Sequence, residues 1–349
     1  MMAPTGDGGR LASLLCHGMA AYRRSFGSSA AAESLRQSLP KLHAETLPQF
    51  SPVWKHVVEA VVEARGRDAI THGDPFSILD LASGNPPEPA MSLAERFPLA
   101  NVVASDHETS ICQQAAVHAQ HFGGRLEVQQ ISLQDIETFA SAAAGTEEAP
   151  PSIEVITCSL GLFHRPTPGL FAGLHALLAP RGLLVATVWD RFAMHDLGLR
   201  VLGKVLGRDQ PPTHDNSMEP TASRGFSPIS LGHGKADPLL EAAGFRTAKG
   251  DALPDHNAVH SLRLTLGPRS ADRTWQLGLL PIAGILLQLH ESADGFHDID
   301  IFARARDAFE EEVQTAGRPG SHLELDAATD EVAFAASGLQ YRVLAVRRS

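Results

Sequence analysis

The chain has little cysteine, little positive charge and no long apolar run, and each shortage removes a class of protein. Its three cysteines, Cys16, Cys112 and Cys158, are widely spaced and form no CxxC pair, so neither a disulfide framework nor a structural zinc site is expected. That usage fits a reducing, cytoplasmic compartment. No apolar run approaches the roughly 18 residues that span a bilayer, so no stable membrane insertion is expected. Only 29 Lys and Arg stand against 40 Asp and Glu in 349 residues, a formal net charge of -11. Phosphate backbones are held by Lys and Arg clustered on one face, so nucleic acid is not the expected partner. A small-molecule or protein partner is. The chain also lacks internal repeats and metal-ligand spacing, and no metal site is expected.

What is present is a core-forming share of apolar residues, 43%, arranged around one unusual segment. From Phe76 to Pro89 the sequence FSILDLASGNPPEP reads as a buried strand breaking into a small-residue turn. Ile78, Leu79 and Leu81 supply the apolar strand and Asp80 sits near its carboxyl end. Ala82, Ser83 and Gly84 keep side-chain bulk away from a ligand that touches backbone. After a helix-length stretch, NVVASD from Asn101 to Asp106 gives a second apolar strand ending on a carboxylate. That lies roughly 20 residues beyond the turn, where the ribose hydroxyls of a nucleoside are usually held. A nicotinamide dinucleotide would also suit such an acid, but its pyrophosphate needs a GxGxxG turn, and here Gly84 is followed by Asn85, Pro86 and Pro87.

Strand and helix patterns alternate through this region. Val53, Val57, Val58, Val61 and Val62 recur at helical spacing, and a domain begins about there. Strands are predicted at 77–82, 101–105, 126–131, 153–158 and 183–188, with helices near 89–96, 108–121 and 168–178. Parallel strands need crossover connections, so the alternation predicts an α/β fold. The expected architecture is a Rossmann-like doubly wound sheet of about seven strands, mostly parallel with an antiparallel C-terminal strand, and helices on both faces. Ligands of such sheets bind at the carboxyl ends of the strands.

Five segments in this order resemble the class I S-adenosylmethionine-dependent methyltransferases of the ubiquinone/menaquinone C-methyltransferase and related small-molecule type. The resemblance spans roughly residues 43 to 250. ILDLASGNPPEP resembles the nucleotide-loop motif, and VVASD the second-strand motif. LEVQQISLQDIETF is similar to the segment that frames adenine, IEVITCSLGLFHRP to the fourth-strand motif, and LHALLAPRGLLVATVW to the helix, Pro-x-Gly turn and fifth strand. DPLLEAAGF is similar to the last sheet-facing helix. The resemblance implies S-adenosyl-L-methionine as cofactor. It implies that Asp80, Ala82, Gly84 and Asn85 hold the methionine end, Asp106 the ribose, and Ser132 and Leu133 the adenine, with Ser159 at the end of the fourth strand. Where the family has a third loop glycine this chain has Pro86, which has no N–H to offer. A binding or regulatory protein that keeps the fold without the cofactor is the alternative that Pro86 supports.

Methyl transfer needs donor and acceptor held in line with water excluded, and a base helps when the acceptor must lose a proton. His164, just past the fourth strand, and His195, which with Asp190 follows the fifth, are the candidate bases among 17 histidines. Cys158 is expected to be a packing residue. Residues 190–236 form an insertion expected to act as a substrate lid. Its segment HDLGLRVLGKVLG has an apolar face, and so does a bent helix predicted over 277–289 in LGLLPIAGILLQL. These faces fit a partly apolar small acceptor, a homodimer interface or core packing. Residues 1–40 are expected to be a separate extension. Being rich in Ala, Ser and Gly, with Arg10, Arg23, Arg24 and Arg36 against Asp7 and Glu33, they resemble an organelle transit peptide, a mitochondrial or plastid alternative for localisation. FARARDAFEEEVQTA is predicted as a solvent-faced helix with a solvated charge run. EVAFAASGLQYRVLAVRR is predicted as a hairpin or paired edge strand.

Overall fold

In a computed structural model, residues 35, 37–38, 41–42, 45–66, 74–143, 153–162, 166–207, 231–246, 256–291, 300–319 and 321–349 are described. The His164 candidate and most of the 1–40 extension lie outside them. So do residues 208–230, about half of the expected lid. The chain, expected as one domain with a lid, divides into two compact units. One comprises residues 50–190, 228–260 and 341–349. The other comprises 1–49, 191–227 and 261–340.

In the first unit, α1 (Ser51–Arg65) opens with Pro52 in its first turn and buries Val53, Val57, Ala60 and Val61 on one side. Gly66 ends it at φ 81°. Then come β1 (Phe76–Leu81), α2 (Ala90–Arg96), β2 (Ala100–Asp106), α3 (Thr109–Ala119), β3 (Leu126–Gln130), α4 (Leu133–Ala143), β4 (Ile153–Ser159), α5 (Pro168–Leu177) and β5 (Leu178–Phe192). After β5 the chain enters the second unit with α6 (Ala193–Val205) and returns with α7 (Asp237–Ala242), β6 (Phe245–Arg246) and β7 (Val259–Ser261). The strand order is β3-β2-β1-β4-β5-β11-β6, with β7 pairing β11 (Leu339–Arg348). β1 pairs in parallel with both β2 and β4, β2 with β3, and β4 with β5, while β11 runs antiparallel to β6.

Alternation along the strands builds two apolar layers. Phe76 and Ile78 of β1 join one cluster with Val57 and Val61 of α1 and Leu93 of α2. Leu79 and Leu81 join the other with Ile136 of α4, Leu170 and Phe171 of α5 and Leu240 of α7. Strands buried on both faces read as continuous apolar runs, which is the pattern of a covered parallel sheet. This is the Rossmann-like doubly wound architecture that the sequence predicts, with helices on both faces.

The second unit holds a three-stranded sheet in the order β8-β10-β9, with β8 at Leu264–Pro268, β9 at Leu323–Asp326 and β10 at Glu331–Phe334. Its helices are α6, α8 (Asp272–Gly278), α9 (Ala283–Glu291) and α10 (Ile301–Gln314). The predicted 277–289 helix is broken as its proline requires: a 3-10 turn over Leu280–Ile282 carries Pro281 between α8 and α9. The apolar face of α6 packs in this unit's core, where Gly198 lies so close to Ile282 that a Cβ there would come within 2.7 Å of its Cγ2.

Two predictions in this half need correcting. α10 is not solvent-faced, because Ile301, Phe302, Ala305, Ala308, Phe309 and Val313 are buried along one side. Its charge run is ion-paired: Glu310 with Arg269 at 2.8 Å, Glu311 with Lys204 at 2.9 Å and Glu312 with Arg200 at 3.0 Å. The C-terminal segment is not a hairpin. β10 belongs to the small sheet and β11 to the large one, so Ser337 and Gly338 mark a passage between sheets. β11 is an interior strand flanked by β5 and β6.

Candidate functional site

The carboxyl ends of β1, β2, β3 and β4 lie along one edge of the large sheet. The order reverses direction on either side of β1 and β4, which makes their ends the switch point where a crevice forms. The pairing registers set the level. Leu81 is opposite both Ser105 and Cys158, and Asp106 is opposite Gln130. Ala82, Asp106, Gln130 and Ser159 therefore crown adjacent strands at about one height.

The turn after β1 is fixed by an internal network. Ala82 is left-handed at φ 55° and Gly84 at φ 71°, with buried Ser83 between them. The Ser83 amide donates to the Ser105 carbonyl at 2.8 Å, and the Ser105 amide donates to Ser83 Oγ at 3.1 Å. Ser83 Oγ donates to Asp80 Oδ2 at 2.6 Å, and Thr157 Oγ1 donates to Asp80 Oδ1 at 2.6 Å. Asp80 is fully buried. The sequence predicts that it contacts the ligand, but it has no surface at the mouth, and what it offers is the turn that it holds. Burial pushes its pKa up to about 7, against the opposing pull of the Ser83 and Thr157 hydroxyls.

Gly84 is needed for its backbone and for its space. A Cβ there would meet nothing within 4 Å, so the turn opens towards room for a ligand. The Gly84 amide donates to Asp106 Oδ2 at 3.3 Å, which couples the turn to the carboxylate at the end of β2. Asp106 Oδ1 accepts from the Glu108 amide at 3.1 Å and stands 3.1 Å from Nδ1 of exposed His107. Burial raises the pKa of Asp106, and His107 and the Gly84 amide oppose the rise. Asn85 donates from Nδ2 to Gln114 Oε1 at 2.9 Å, while its Oδ1 is buried with no hydrogen-bond partner among the described residues. Two cis peptide bonds, Asn85-Pro86 and Glu88-Pro89, shape the loop beyond.

The other predicted residues have definite tasks. Ser132 caps α4: its Oγ accepts from the Asp135 amide at 3.1 Å, and its own amide donates to Asp135 Oδ2 at 2.7 Å, a reciprocal capping box. The Ile131 amide donates to the Asp106 carbonyl at 3.1 Å, which ties this cap to the end of β2. Leu133 packs partly buried against the second apolar cluster. Ser159 Oγ lies 3.3 Å from Thr187 Oγ1 of β5. Cys158 is fully buried and burial raises its thiol pKa, so it packs rather than reacts. His195 falls in the second compact unit, buried on α6 with Nδ1 3.9 Å from Asp196 Oδ1.

Sequence reading missed several parts. Thr157 and Ser105 are hydroxyl residues inside otherwise apolar strands, and the register places Thr157 opposite Asp80; a polar residue in a buried strand was the available signal. Gly161 allows the end of β4 to touch the turn, since a Cβ there would lie 2.7 Å from Ala82 Cβ. Leu160 beside it is left-handed at φ 53°, and its amide donates to Thr187. Asp190 was read from the sequence beside His195, but its partners were not: at the end of β5 it is buried, pairs with Arg342 and accepts from the amide of His233 at 2.7 Å, with His233 Nδ1 at 3.5 Å. Burial acts to raise the pKa of Asp190, but Arg342 and His233 together hold it below the usual carboxylate range. His233 is left-handed at φ 54° and half-exposed, and Gly232 before it packs on the Trp189 carbonyl, which a Cβ would meet at 2.4 Å. A histidine between two glycines was the signal for this dyad.

No family model and no curated protein matches the sequence. Solved structures do align. The chain is similar to geranyl diphosphate C-methyltransferase from Streptomyces coelicolor A3(2) at 10% identity and TM-score 0.40, over 99% of this chain and 100% of that one. It is similar to the YcgJ protein from Bacillus subtilis at 13% identity and TM-score 0.40, over 84% and 98%. It is similar to the 4+2 cyclase SpnF at 11% identity and TM-score 0.40, over 93% and 99%. At these values the fold assignment rests on the strand order and registers above.

Proposed function

We propose that the protein is an S-adenosyl-L-methionine-dependent methyltransferase acting on a small, partly apolar molecule. The observation that carries this reading is the pairing of Gly84 with Asp106. A glycine with open space beside it at the end of β1 donates its amide to a nearly buried carboxylate at the end of β2, at the switch point of a doubly wound sheet. The chemistry of the donor set fits a nucleoside without phosphates. Asp106 can accept hydroxyl protons on the lone pairs that the Gly84 and Glu108 amides leave, and the turn has no phosphate-cradling glycine series. Asn85, with its unpartnered Oδ1, suits the ammonium of an amino acid moiety.

When bound, the cofactor supplies a sulfonium methyl group open to in-line displacement. The chain's own tasks are binding, orientation and exclusion of water. Ala82, Gly84 and Asn85 would hold the methionine end, and Asp106 the ribose. Ser132 and Leu133 would border the adenine, Ser132 with its backbone fixed by the cap. Ser159 crowns β4 between β1 and β5. A base at this edge is available in His233, which Asp190 orients at the end of β5.

Calorimetry with S-adenosylhomocysteine tests the reading. Wild type should bind in the micromolar range, and Asp106→Ala should lose about 1.5 to 3 kcal/mol of binding free energy if the carboxylate accepts both ribose hydroxyls. Equal affinity in the two proteins would remove Asp106 from the site. Absence of binding to folded wild type would favour the cofactor-free binding protein.

A further inference from the structure

We infer that Asp80 is a positioning residue that never touches the ligand: it holds the Ala82–Gly84 turn through Ser83, and it gives up a proton when a positively charged ligand occupies that turn. This rests on the methyltransferase reading of the site. The argument begins with what surrounds the carboxylate. β1 is paired on both sides, and Asp80 is fully buried within it. Its oxygens accept the hydroxyl protons of Ser83 and Thr157, with the Ala90 amide as a weaker third donor. The single Ser83 proton has a second acceptor in the Asp80 carbonyl at 3.0 Å, so this support for the ionised form is shared.

The groups facing Asp80 come from each neighbouring element. The loop after the turn contributes Glu88, whose Oε2 is occupied by the amide and hydroxyl of Ser92. β4 contributes the Cys158 thiol, α2 contributes the Ala90 amide, and Asp106 at the end of β2 is linked through Gly84. Glu88, Cys158 and Asp106 are acids. Among the described residues no cation pairs with Asp80. A buried carboxylate whose neighbours are acids is disfavoured in its charged form, and burial holds its pKa at about 7. Near neutral pH its protonated form is therefore well populated without a ligand.

Ser83 transmits the charge state to the site. It is bonded to β2 through both its amide and its hydroxyl, and it is the residue between the two left-handed positions that shape the turn. A sulfonium brought to this turn is a positive charge arriving beside a carboxylate that lacks one, and attraction favours the ionised form. The proton leaves for solvent. A thioether lacks that charge, while the ammonium and carboxylate of the amino acid end are common to both and cancel in the comparison.

The experiment is calorimetry at pH 7 in two buffers of different ionisation enthalpy, with S-adenosylmethionine and S-adenosylhomocysteine as probes. Wild type should release up to about half a proton per site with the sulfonium and clearly less with the thioether. Asp80→Asn should bind the sulfonium without that release, since the two hydroxyls can turn to suit an amide. Thr157→Val retains Asp80 but removes one hydroxyl donor, so its release should move to higher pH; this second variant decides the matter if Asp80→Asn does not fold. Binding without proton release, or equal release with both probes, overturns the proposal and leaves the methyltransferase reading intact. Absence of binding by either probe at any pH overturns both. A merely structural Asp80 would alter stability but not the proton count.

Discussion

Replacing Gly161 with alanine probes how the end of β4 meets the β1 turn. The new Cβ would sit 2.7 Å from Ala82 Cβ and 2.8 Å from Cys158 Sγ, where apolar contacts normally stand about 3.5 to 4 Å apart. Relief needs a shift of roughly 1 Å in two directions. Cys158 is fully buried, and Ala82 is held at φ 55° beside the locked Ser83, so neither yields easily. Overpacking of this kind costs about 1 to 3 kcal/mol, and two hard contacts place Gly161→Ala at the upper end. Ala82→Gly removes one of the contacts and a left-handed penalty of roughly 1 kcal/mol, which the greater freedom of glycine in the unfolded chain largely offsets. Alone it should be near neutral. In the double variant only the sulfur contact remains, so the two changes should couple by about 1 to 2 kcal/mol. Urea unfolding of all four proteins, with the slope unchanged, measures this. A Gly161→Ala protein within about 0.5 kcal/mol of wild type, or costs that simply add, would refute the close approach.

Further expectations follow from individual contacts. Asp80 has a folded pKa near 7 against 3.8 for the free side chain. Between those values the unfolded chain binds fewer protons, so this group's contribution is full below pH 4 and is lost as pH rises through 7. The loss is on the order of 4 kcal/mol, and the difference in stability between wild type and Asp80→Asn, followed by denaturation across this window, should show it. A flat difference would deny the raised pKa. Ser132→Ala should remove the α4 cap and cost about 1 kcal/mol in the same assay, while Ser132→Thr should retain most of it. Gly232→Ala should destabilise by about 2 kcal/mol or more, because its Cβ would meet the Trp189 carbonyl at 2.4 Å. An unaffected stability would place the 231–236 segment elsewhere.

The strands of the large sheet were legible because they are buried on both faces and so carry unbroken apolar runs such as Val155, Ile156 and Leu183 to Val185. The helix α4 was not, since Leu133 to Ala143 begins directly after β3 with a Ser-Leu-Gln-Asp cap that was read only for its hydroxyl. β11 was misjudged because alternation around Tyr341 and Val343 suits an edge strand as well as an interior one, and only the presence of β5 on one side and β6 on the other separates them. The ends of β1 and β2 could be read from small residues and a terminal acid. What fixes them could not. Thr157, Ser105 and Gly161 act through registers and approaches that join strands far apart in sequence, and local pattern does not report those. His195 could be read from its place after β5, whereas His233, which the first unit holds against Asp190, comes from a segment about 40 residues further on that local pattern does not join to that strand.

The central claim is that the Gly84–Asp106 pair receives the ribose side of a sulfonium nucleoside. A crystal structure with S-adenosylhomocysteine bound tests it most directly. The account predicts both ribose hydroxyls within hydrogen-bond distance of Asp106 and the amino acid end beside Ala82, Gly84 and Asn85. A nucleoside bound away from Asp106, or crystals grown at saturating ligand with this edge of the sheet empty, would contradict it.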